Sequence, residues 1–189
     1  MPLQKRTLAL FLLLSFMLTS CEFKCSVGNT DEENQQKGKP DDKNVVIKNG
    51  TALFNGIQLD TKGSIKVQRV YLVNSENKRI DENNFVSPNE TVKMVLMIDS
   101  GWTEEAGQCY LGASQKVVTD AGVEILNEPD LFASSGVEGI SPKDATVITM
   151  SVILKIPANA PPNGFNVTFR VWDKKGPAEI TGRYKLNTK

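Results

Sequence analysis

Regular alternation of hydrophobic and polar residues dominates the second half of this 189-residue chain. Successive side chains of a β-strand point to opposite faces, so a hydrophobic residue at every second position indicates a strand with one buried face. Three stretches follow this pattern, with hydrophobic residues at 92, 94, 96 and 98, at 148, 150, 152, 154 and 156, and at 165, 167, 169 and 171. We therefore predict long, half-buried strands over these stretches.

Turn residues separate the predicted strands at short intervals. Asn49-Gly50 and Thr119-Asp120-Ala121-Gly122 each stand between short hydrophobic runs and predict tight hairpins. The hydrophobic phase shifts between Val67 and Val70, which predicts a β-bulge. No stretch of ten or more residues has a convincing helical period, and Glu128–Ser134 is predicted as one helical turn. The chain is therefore predicted to be all-β, an antiparallel two-sheet sandwich of immunoglobulin-like type with about seven strands.

The first twenty residues are typical of a secretory signal peptide. Lys5 and Arg6 precede the hydrophobic run Leu8–Leu18, and small residues follow it. The stretch Leu18-Thr19-Ser20-Cys21 resembles the lipobox of bacterial lipoproteins. That resemblance implies cleavage between Ser20 and Cys21 and lipidation of Cys21, which anchors the mature protein to a membrane. The alternative is an ordinary secreted protein with a cysteine near its cleavage site.

These patterns divide the chain into four parts. Residues 1–20 are predicted to be the signal peptide, and residues 21–44 the lipidated cysteine with a flexible polar tether. The tether has few hydrophobic residues with which to offset the entropy lost on ordering. Residues 45–63 are predicted to be a short β lead-in, and residues 64–189 the sandwich itself.

Composition excludes several classes of function. The chain contains no histidine, which removes the usual general base near neutral pH and the commonest metal ligand. It has 22 basic and 22 acidic residues, and residues 1–20 contain two basic and no acidic ones, so the mature chain has 20 against 22, a formal charge of −2. That charge argues against nucleic-acid binding, which needs a basic surface. We predict no cofactor and no metal.

Three aromatic residues are the candidate ligand contacts: Trp102, Tyr110 and Trp172. Trp102 follows a hydrophobic strand, and Trp172 has the opposite parity to the hydrophobic residues of its strand. Flat exposed rings stack on sugar faces, and exposed hydrophobic groups mark binding sites. The alternative is that each ring covers an end of the sandwich or packs beneath a loop.

Acidic residues and cysteines offer weaker candidates. Five aspartates fall at predicted strand ends or turns, where they would hold calcium or form local turn hydrogen bonds: Asp99, Asp120, Asp130, Asp144 and Asp173. No calcium-loop spacing supports the first interpretation. Cys25 and Cys109 would pair in an oxidising compartment, or Cys109 would be buried as a small hydrophobic residue.

Several strand and turn motifs together resemble small immunoglobulin-like envelope lipoproteins of the Bacteroidetes. The resemblance covers residues 64–189. Its motifs are Phe85, VKMVLMI from Val92, Ser100-Gly101-Trp102, TDAGVEIL from Thr119, Asp130-Leu131-Phe132, and FRVWDKKG from Phe169 with ITGRYKL from Ile180. It implies a sandwich fold and a place in the cell envelope, and it implies no catalytic residue.

We therefore expect a lipid-anchored protein of the cell envelope, held at the outer membrane and facing the periplasm or the surface. Its expected role is non-enzymatic, in binding or assembly. One alternative is a carbohydrate-binding accessory protein that uses the exposed aromatics. The other is a structural or partner-binding subunit that acts through a strand edge. Expected partners are the membrane, a glycan or an envelope protein, and no nucleic acid.

Overall fold

In the computed structural model, the described residues are 21–27, 45–157 and 163–188, the first of these ranges as backbone. The predicted signal peptide and residues 28–44 of the predicted tether lie outside them. The described residues form fourteen strands: β1 (Cys21–Val27), β2 (Val46–Lys48), β3 (Thr51–Leu53), β4 (Gln58–Lys62), β5 (Lys66–Val73), β6 (Phe85–Val86), β7 (Thr91–Ser100), β8 (Glu104–Glu105), β9 (Gln108–Cys109), β10 (Leu111–Thr119), β11 (Glu124–Glu128), β12 (Val147–Leu154), β13 (Gly164–Asp173) and β14 (Glu179–Thr188).

Two main sheets make up the fold, and the prediction of an all-β sandwich is confirmed. The first sheet has the order β1-β12-β7-β5-β3-β2, and the second has the order β11-β10-β13-β14-β4 with β6 added beside β14. Neighbouring strands are antiparallel except for β3 with β5 and β6 with β14. Strands β8 and β9 form a separate short hairpin. The described part of the chain thus has six strands in each main sheet, more than the seven predicted in total.

The core lies between the two sheets, where the alternating hydrophobic residues meet. The first sheet contributes Val70, Leu72, Val92, Met94, Leu96, Ile98, Ile148, Met150, Val152 and Leu154. The second contributes Leu111, Ala113, Val117, Phe165, Val167, Phe169, Val171, Ile180, Tyr184 and Leu186. Each fully buried large aliphatic or aromatic side chain contributes about 1.5–3 kcal/mol to stability. These facing rows explain why an alternating sequence folds as two stacked sheets.

Local predictions from turns and parity are also confirmed. The register between β5 and β7 shifts on both sides of Val67, which is the predicted irregularity. Asn49 and Gly50 both have positive φ in the β2–β3 turn. The predicted helical turn is α1 (Leu131–Ser134), which begins after Asp130 and is four residues long.

Two segments differ from the prediction. Cys21–Val27, assigned to the tether, pairs along β12 as an edge strand. Its residues alternate in hydrophobicity at Cys21, Phe23, Cys25 and Val27, which is the strand pattern in a short and otherwise polar stretch. The predicted lead-in contributes β2, β3 and β4 to the two main sheets and is part of the sandwich.

A second, smaller hydrophobic cluster lies apart from the main core. Tyr71, Val73, Val95 and Val147 are its buried members. The Arg79 guanidinium carbon lies 3.8 Å from the centre of the Phe54 ring and 4.7 Å from that of the Tyr71 ring. These cation–π contacts cover one side of the cluster. Among the described residues, no helix has both the length and the hydrophobicity needed to cross a membrane.

Candidate functional site

A cavity of about 650 Å³ lies at one end of the sandwich. Five of its twelve lining residues are asparagines, so we call it the asparagine cavity. The lining residues are Asn55, Gly56, Glu82, Asn83, Asn84, Phe85, Asp120, Asn163, Gly164, Lys185, Asn187 and Thr188. The lining comes from loops near β3, β5 and β10, from the start of β13 and from the end of β14. We call this end of the sandwich the cavity end.

Two buried asparagines brace the wall of the cavity. The Asn84 amide nitrogen donates to the Asn55 carbonyl oxygen (2.8 Å) and to the Lys185 carbonyl oxygen (2.8 Å). The Asn55 amide nitrogen donates to Asn84 Oδ1 (3.0 Å), and Asn55 Oδ1 accepts from the Leu72 N–H (3.1 Å). Both residues have positive φ, a conformation that asparagine tolerates better than most residues. The brace therefore joins two loops to β14 through the hydrogen bonds of two buried side chains.

A charged pair also lines the cavity. Lys185 Nζ lies 2.7 Å from Asp120 Oδ2, and the Asn166 amide nitrogen donates to Asp120 Oδ1 (3.1 Å). The hydrogen bond from Lys185 lowers the pKa of the Asp120 carboxyl below its usual range. A Cβ atom at Gly164 would collide with the Asp120 carboxylate and lie 2.5 Å from Lys185 Cε, so the ends of both side chains approach the backbone closely at this glycine.

The rim of the cavity carries exposed polar and aromatic groups. Glu82, Asn83 and Asn163 are exposed, and Phe85 is 39% exposed. Amide groups both donate and accept hydrogen bonds, a carboxylate accepts them and an ammonium group donates them. This combination beside an aromatic ring suits a ligand with many hydroxyl groups.

Trp102, predicted as a ligand contact, lies at the opposite end of the sandwich, which we call the tryptophan end. Its indole N–H donates to the Ala145 carbonyl oxygen (3.1 Å), and its ring packs against the core. The next residue, Thr103, donates its N–H to Asp173 Oδ2 (2.6 Å). The indole therefore closes this end of the core and uses its polar group within the protein.

Trp172 lies on the outer face of the second sheet, as its parity predicted. A Cβ atom at Gly112, its cross-strand partner, would collide with the indole, so the ring lies against the backbone of β10. The Arg170 guanidinium carbon is 4.7 Å from the ring centre, and Arg170 Nε donates to Glu179 Oε2 (2.9 Å). Glu179 also pairs with Lys62 (2.7 Å). Trp172 is thus one member of a row of contacts across four strands.

Tyr110 lies between β9 and β10 at the tryptophan end. The Lys175 ammonium is 5.1 Å from the centre of the Tyr110 ring, and the Tyr110 carbonyl oxygen accepts from the Lys174 N–H (2.7 Å). Within the described residues, close ring pairs join Phe54 to Tyr71 and Phe169 to Tyr184, so the three predicted aromatics do not stack on one another. None of the three lines the asparagine cavity.

The predicted aspartates are divided between the two ends. Asp120 belongs to the cavity end, whereas Asp130 caps α1 by accepting from the Phe132 and Ala133 N–H groups. Asp173 accepts from the Thr103 and Lys175 N–H groups. Within the described ranges, no group of three or more acidic or cysteine residues is arranged to hold a metal ion. Asp130 and Asp173 thus form the local cap and turn hydrogen bonds of the second interpretation, whereas Asp120 forms an ion pair with Lys185.

Cys109 is a buried free thiol, so the Cys25–Cys109 disulfide is not formed. Burial, with the nearby carboxylates of Asp173 and Glu104, raises the pKa of the thiol. A raised pKa keeps the group protonated and unreactive near neutral pH.

A second cavity, of about 490 Å³, lies at the side of the sandwich between β2–β3 and β4. Lys48 Nζ crosses it to the Leu59 carbonyl oxygen (3.0 Å) and to Asp60 Oδ1 (2.7 Å). Its buried lining residues are the hydrophobic Leu53, Leu59, Ile65 and Val67 and the polar Thr51. The Lys48–Asp60 pair thus ties the two sheets together at this cavity.

Sequence reasoning missed the asparagine cavity because its residues are far apart in the chain. Asn55 and Asn84 are 29 residues apart, and Asn84 and Lys185 are 101 apart. In the sequence, Asn55-Gly56 indicates only a turn. Recognising the site would have required the register of β14 against loops from the other half of the fold.

No family model matches the chain, and no curated protein matches it. Similar solved structures include the C-terminal domain of wzt, with 14% identity and a TM-score of 0.45 over 71% of this chain and 78% of that one. Another is the PmoD soluble domain from Methylocystis sp. ATCC 49242 (Rockwell), with 10% identity, a TM-score of 0.35 and coverage of 68% and 94%. A third is a family 123 glycoside hydrolase from Clostridium perfringens, with 11% identity, a TM-score of 0.34 and coverage of 70% and 27%. Likenesses this distant carry no functional argument.

Proposed function

We propose that this chain is a lipid-anchored, non-enzymatic binding protein of the cell envelope, and that the asparagine cavity is its binding site. The proposal of an anchor is supported by the lipobox-like Leu18–Cys21 stretch, and that of a non-enzymatic role by the lack of histidine. The observation that carries the binding role is the cavity itself. Its wall is braced by buried hydrogen bonds, and its rim presents exposed polar groups.

A braced cavity favours binding because little ordering is needed when a ligand enters. Side chains that become fixed on binding each cost about 0.5–1.5 kcal/mol, and a preformed wall avoids part of that cost. Asn55 and Asn84 are already fixed by their buried hydrogen bonds, and Lys185 is already paired with Asp120. A saccharide is the ligand class that best matches the exposed rim amides of Asn83 and Asn163, the charged pair and the Phe85 ring. This relocates carbohydrate binding from Trp102, Tyr110 and Trp172 to the cavity end.

The anchor is tested with a Cys21→Ser variant expressed in the native type of host. We expect the unaltered chain to incorporate labelled palmitate and to fractionate with membranes. The variant should lose the label. Label retained by the variant, or an unaltered chain that carries no label, would contradict lipidation of Cys21.

The binding site is tested by screening the detergent-purified, full mature protein against a glycan array. Lys185→Ala should lose at least about tenfold in affinity for any glycan that binds, equivalent to about 1.4 kcal/mol. Lys116→Ala is the matched control, because Lys116 also pairs with a carboxylate, that of Glu124, outside the cavity. Loss of binding in Trp172→Ala, with binding retained in Lys185→Ala, would place the site on the sheet face instead.

A second candidate function is partner binding through a strand edge, and the exposure of β2 favours it. Val46 is 59% exposed and Ile47 is 65% exposed in this edge strand. Edge lysines usually discourage such pairing, but Lys48 turns away to bind Leu59 and Asp60. A partner strand could therefore pair with the free edge of β2.

A photo-crosslinking amino acid at Ile47 tests this second candidate in intact cells. We expect discrete crosslinked bands that are absent when the same group replaces Val123, which is 58% exposed and precedes another edge strand. Equal patterns at both positions would indicate collision with neighbours rather than a specific partner.

A further inference from the structure

The first strand starts at the residue that is proposed to carry the lipid. Strand β1 pairs with β12 in continuous antiparallel register, from Cys21 opposite Leu154 to Val27 opposite Ile148. A flexible tether of 23 residues would have separated membrane and domain by about 25–30 Å. Pairing that begins at Cys21 removes this separation, because the anchored residue is itself part of the first sheet.

Cys21 and the asparagine cavity lie at the same end of the sandwich. Leu154, opposite Cys21, is the last residue of β12, and its carbonyl oxygen accepts from the Asn89 N–H (3.0 Å). Asn89 follows Phe85 of the cavity by four residues. The Asn84 carbonyl oxygen accepts from the Asn187 N–H (3.0 Å), which connects the same loop to the end of β14. The anchored residue, the loop and the cavity therefore share the cavity end.

The tryptophan end is separated from Cys21 by the length of the strands. Val27 is opposite Ile148, the second residue of β12, and β12 begins directly after the turn that accepts the Trp102 hydrogen bond. Strands β7, β13 and β14 each have ten residues. Ten residues of strand span about 33 Å, so the two ends are separated by a distance comparable to the thickness of a bilayer core.

We propose that the sandwich stands end-on at the membrane, with the cavity end against the lipid headgroups and the tryptophan end directed away. This inference rests on the proposed lipid anchor. The acyl chains hold Cys21 at the headgroup level, since their methylene groups are buried in the hydrocarbon of the membrane. The β1–β12 pairing then holds the cavity end at that level too. In this orientation, a ligand of the cavity binds beside the membrane surface.

The test uses natively lipidated protein reconstituted into vesicles of phosphatidylethanolamine and phosphatidylglycerol. Ser87→Cys, exposed at the cavity end, and Ala106→Cys, exposed in the β8–β9 turn, are each labelled with an environment-sensitive fluorophore. Cys25→Ser provides the background, and buried Cys109 is left in place. A headgroup-attached nitroxide lipid then quenches only fluorophores close to the membrane surface.

We expect the label at position 87 to lose most of its fluorescence and the label at position 106 to keep nearly all of it. The matched control inserts twenty glycine and serine residues between Cys21 and Glu22, a spacer of about 25 Å, which should abolish the quenching at position 87. Equal quenching at both positions in the protein without the spacer would overturn the orientation. Mass spectrometry of Cys21 separates the two proposals: an unmodified Cys21 refutes the anchor, whereas unselective quenching of lipidated protein refutes only the orientation.

Discussion

The two ends of the sandwich use their polar and aromatic residues in opposite ways. At the tryptophan end, the indole N–H of Trp102 is bonded to the backbone, and Asp173 holds two N–H groups of neighbouring loops. At the cavity end, the buried side chains Asn55 and Asn84 hold the backbone, and the exposed groups surround an open cavity. Trp102 closes the core at the tryptophan end, whereas Asn55 and Asn84 support the wall of an open cavity at the cavity end.

This difference indicates which residues a ligand can reach without disturbing the fold. A side chain whose polar atoms already bond the protein must break those bonds to bind something else, and leaving a buried group unpaired costs about 1–3 kcal/mol. The brace residues Asn55 and Asn84 are needed for the shape of the cavity, whereas exposed rim residues such as Glu82 and Asn83 are available for recognition. Substitutions at the two ends should therefore separate stability from binding.

The largest effect is expected at the brace. Asn55→Ala removes the acceptor of the Leu72 N–H and the partner of Asn84, and it places alanine at a φ of 56°. Two buried polar groups without partners and a left-handed alanine should lower the free energy of unfolding by about 3–5 kcal/mol, measured by urea denaturation. Asn83→Ala, at the exposed rim, is the control and should change stability little. A loss below about 1 kcal/mol for Asn55→Ala would show that the brace does not hold the cavity.

An intermediate effect is expected at the tryptophan end. Trp102→Ala should lower the free energy of unfolding by about 2–3 kcal/mol, because the half-buried ring packs on the core. Trp102→Phe keeps much of the ring and leaves the Ala145 carbonyl without its donor, so we expect a loss of about 1 kcal/mol. Neither variant should alter binding at the asparagine cavity. A stable Trp102→Ala variant with weakened glycan binding would reverse the roles of the two ends.

Local patterns predicted the strands well because burial on one face of a strand imposes a period of two. The rows in β7, β12 and β13, the irregularity at Val67 and the outward parity of Trp172 all follow from this period. Parity could not reveal how Trp172 is used, since its contact with Gly112 depends on the register between two strands far apart in sequence.

Two features were missed for different physical reasons. Strand β1 has the alternating pattern, but it is short and adjoins a polar segment, so the composition favoured the prediction of a tether. Its pairing depends on the edge of β12, which lies far away in the sequence. The asparagine cavity has no periodic signal at all. It forms because loops from the first half of the domain meet the end of β14, a contact that only the complete fold creates.

The smallest effect on stability is expected from two aspartate–lysine ion pairs, one at each end of the sandwich. Asp130 lies 2.8 Å from Lys174, and Asp120 lies 2.7 Å from Lys185. Burial raises the pKa of Asp130, but the hydrogen bonds from Lys174 and from backbone N–H groups outweigh it, so the pKa is lowered overall. The folded carboxylate thus holds its proton less tightly than the unfolded one. Its stabilising contribution is present above the ordinary value of 3.8 and is lost as the pH falls through the lower, folded pKa.

The midpoint of thermal unfolding, measured for the wild type and two variants from neutral pH to below pH 3.8, tests both ion pairs. Asp130→Asn keeps a capping oxygen but removes the titrating charge, so its midpoint should be lower at neutral pH and fall less steeply in acid. Asp120→Asn should show the same trend more weakly, because Asp120 and Lys185 are about half exposed and solvent screens their attraction. A steeper acid response controlled by Asp120 would mean that the charged pair, rather than the buried asparagines, holds the cavity end together.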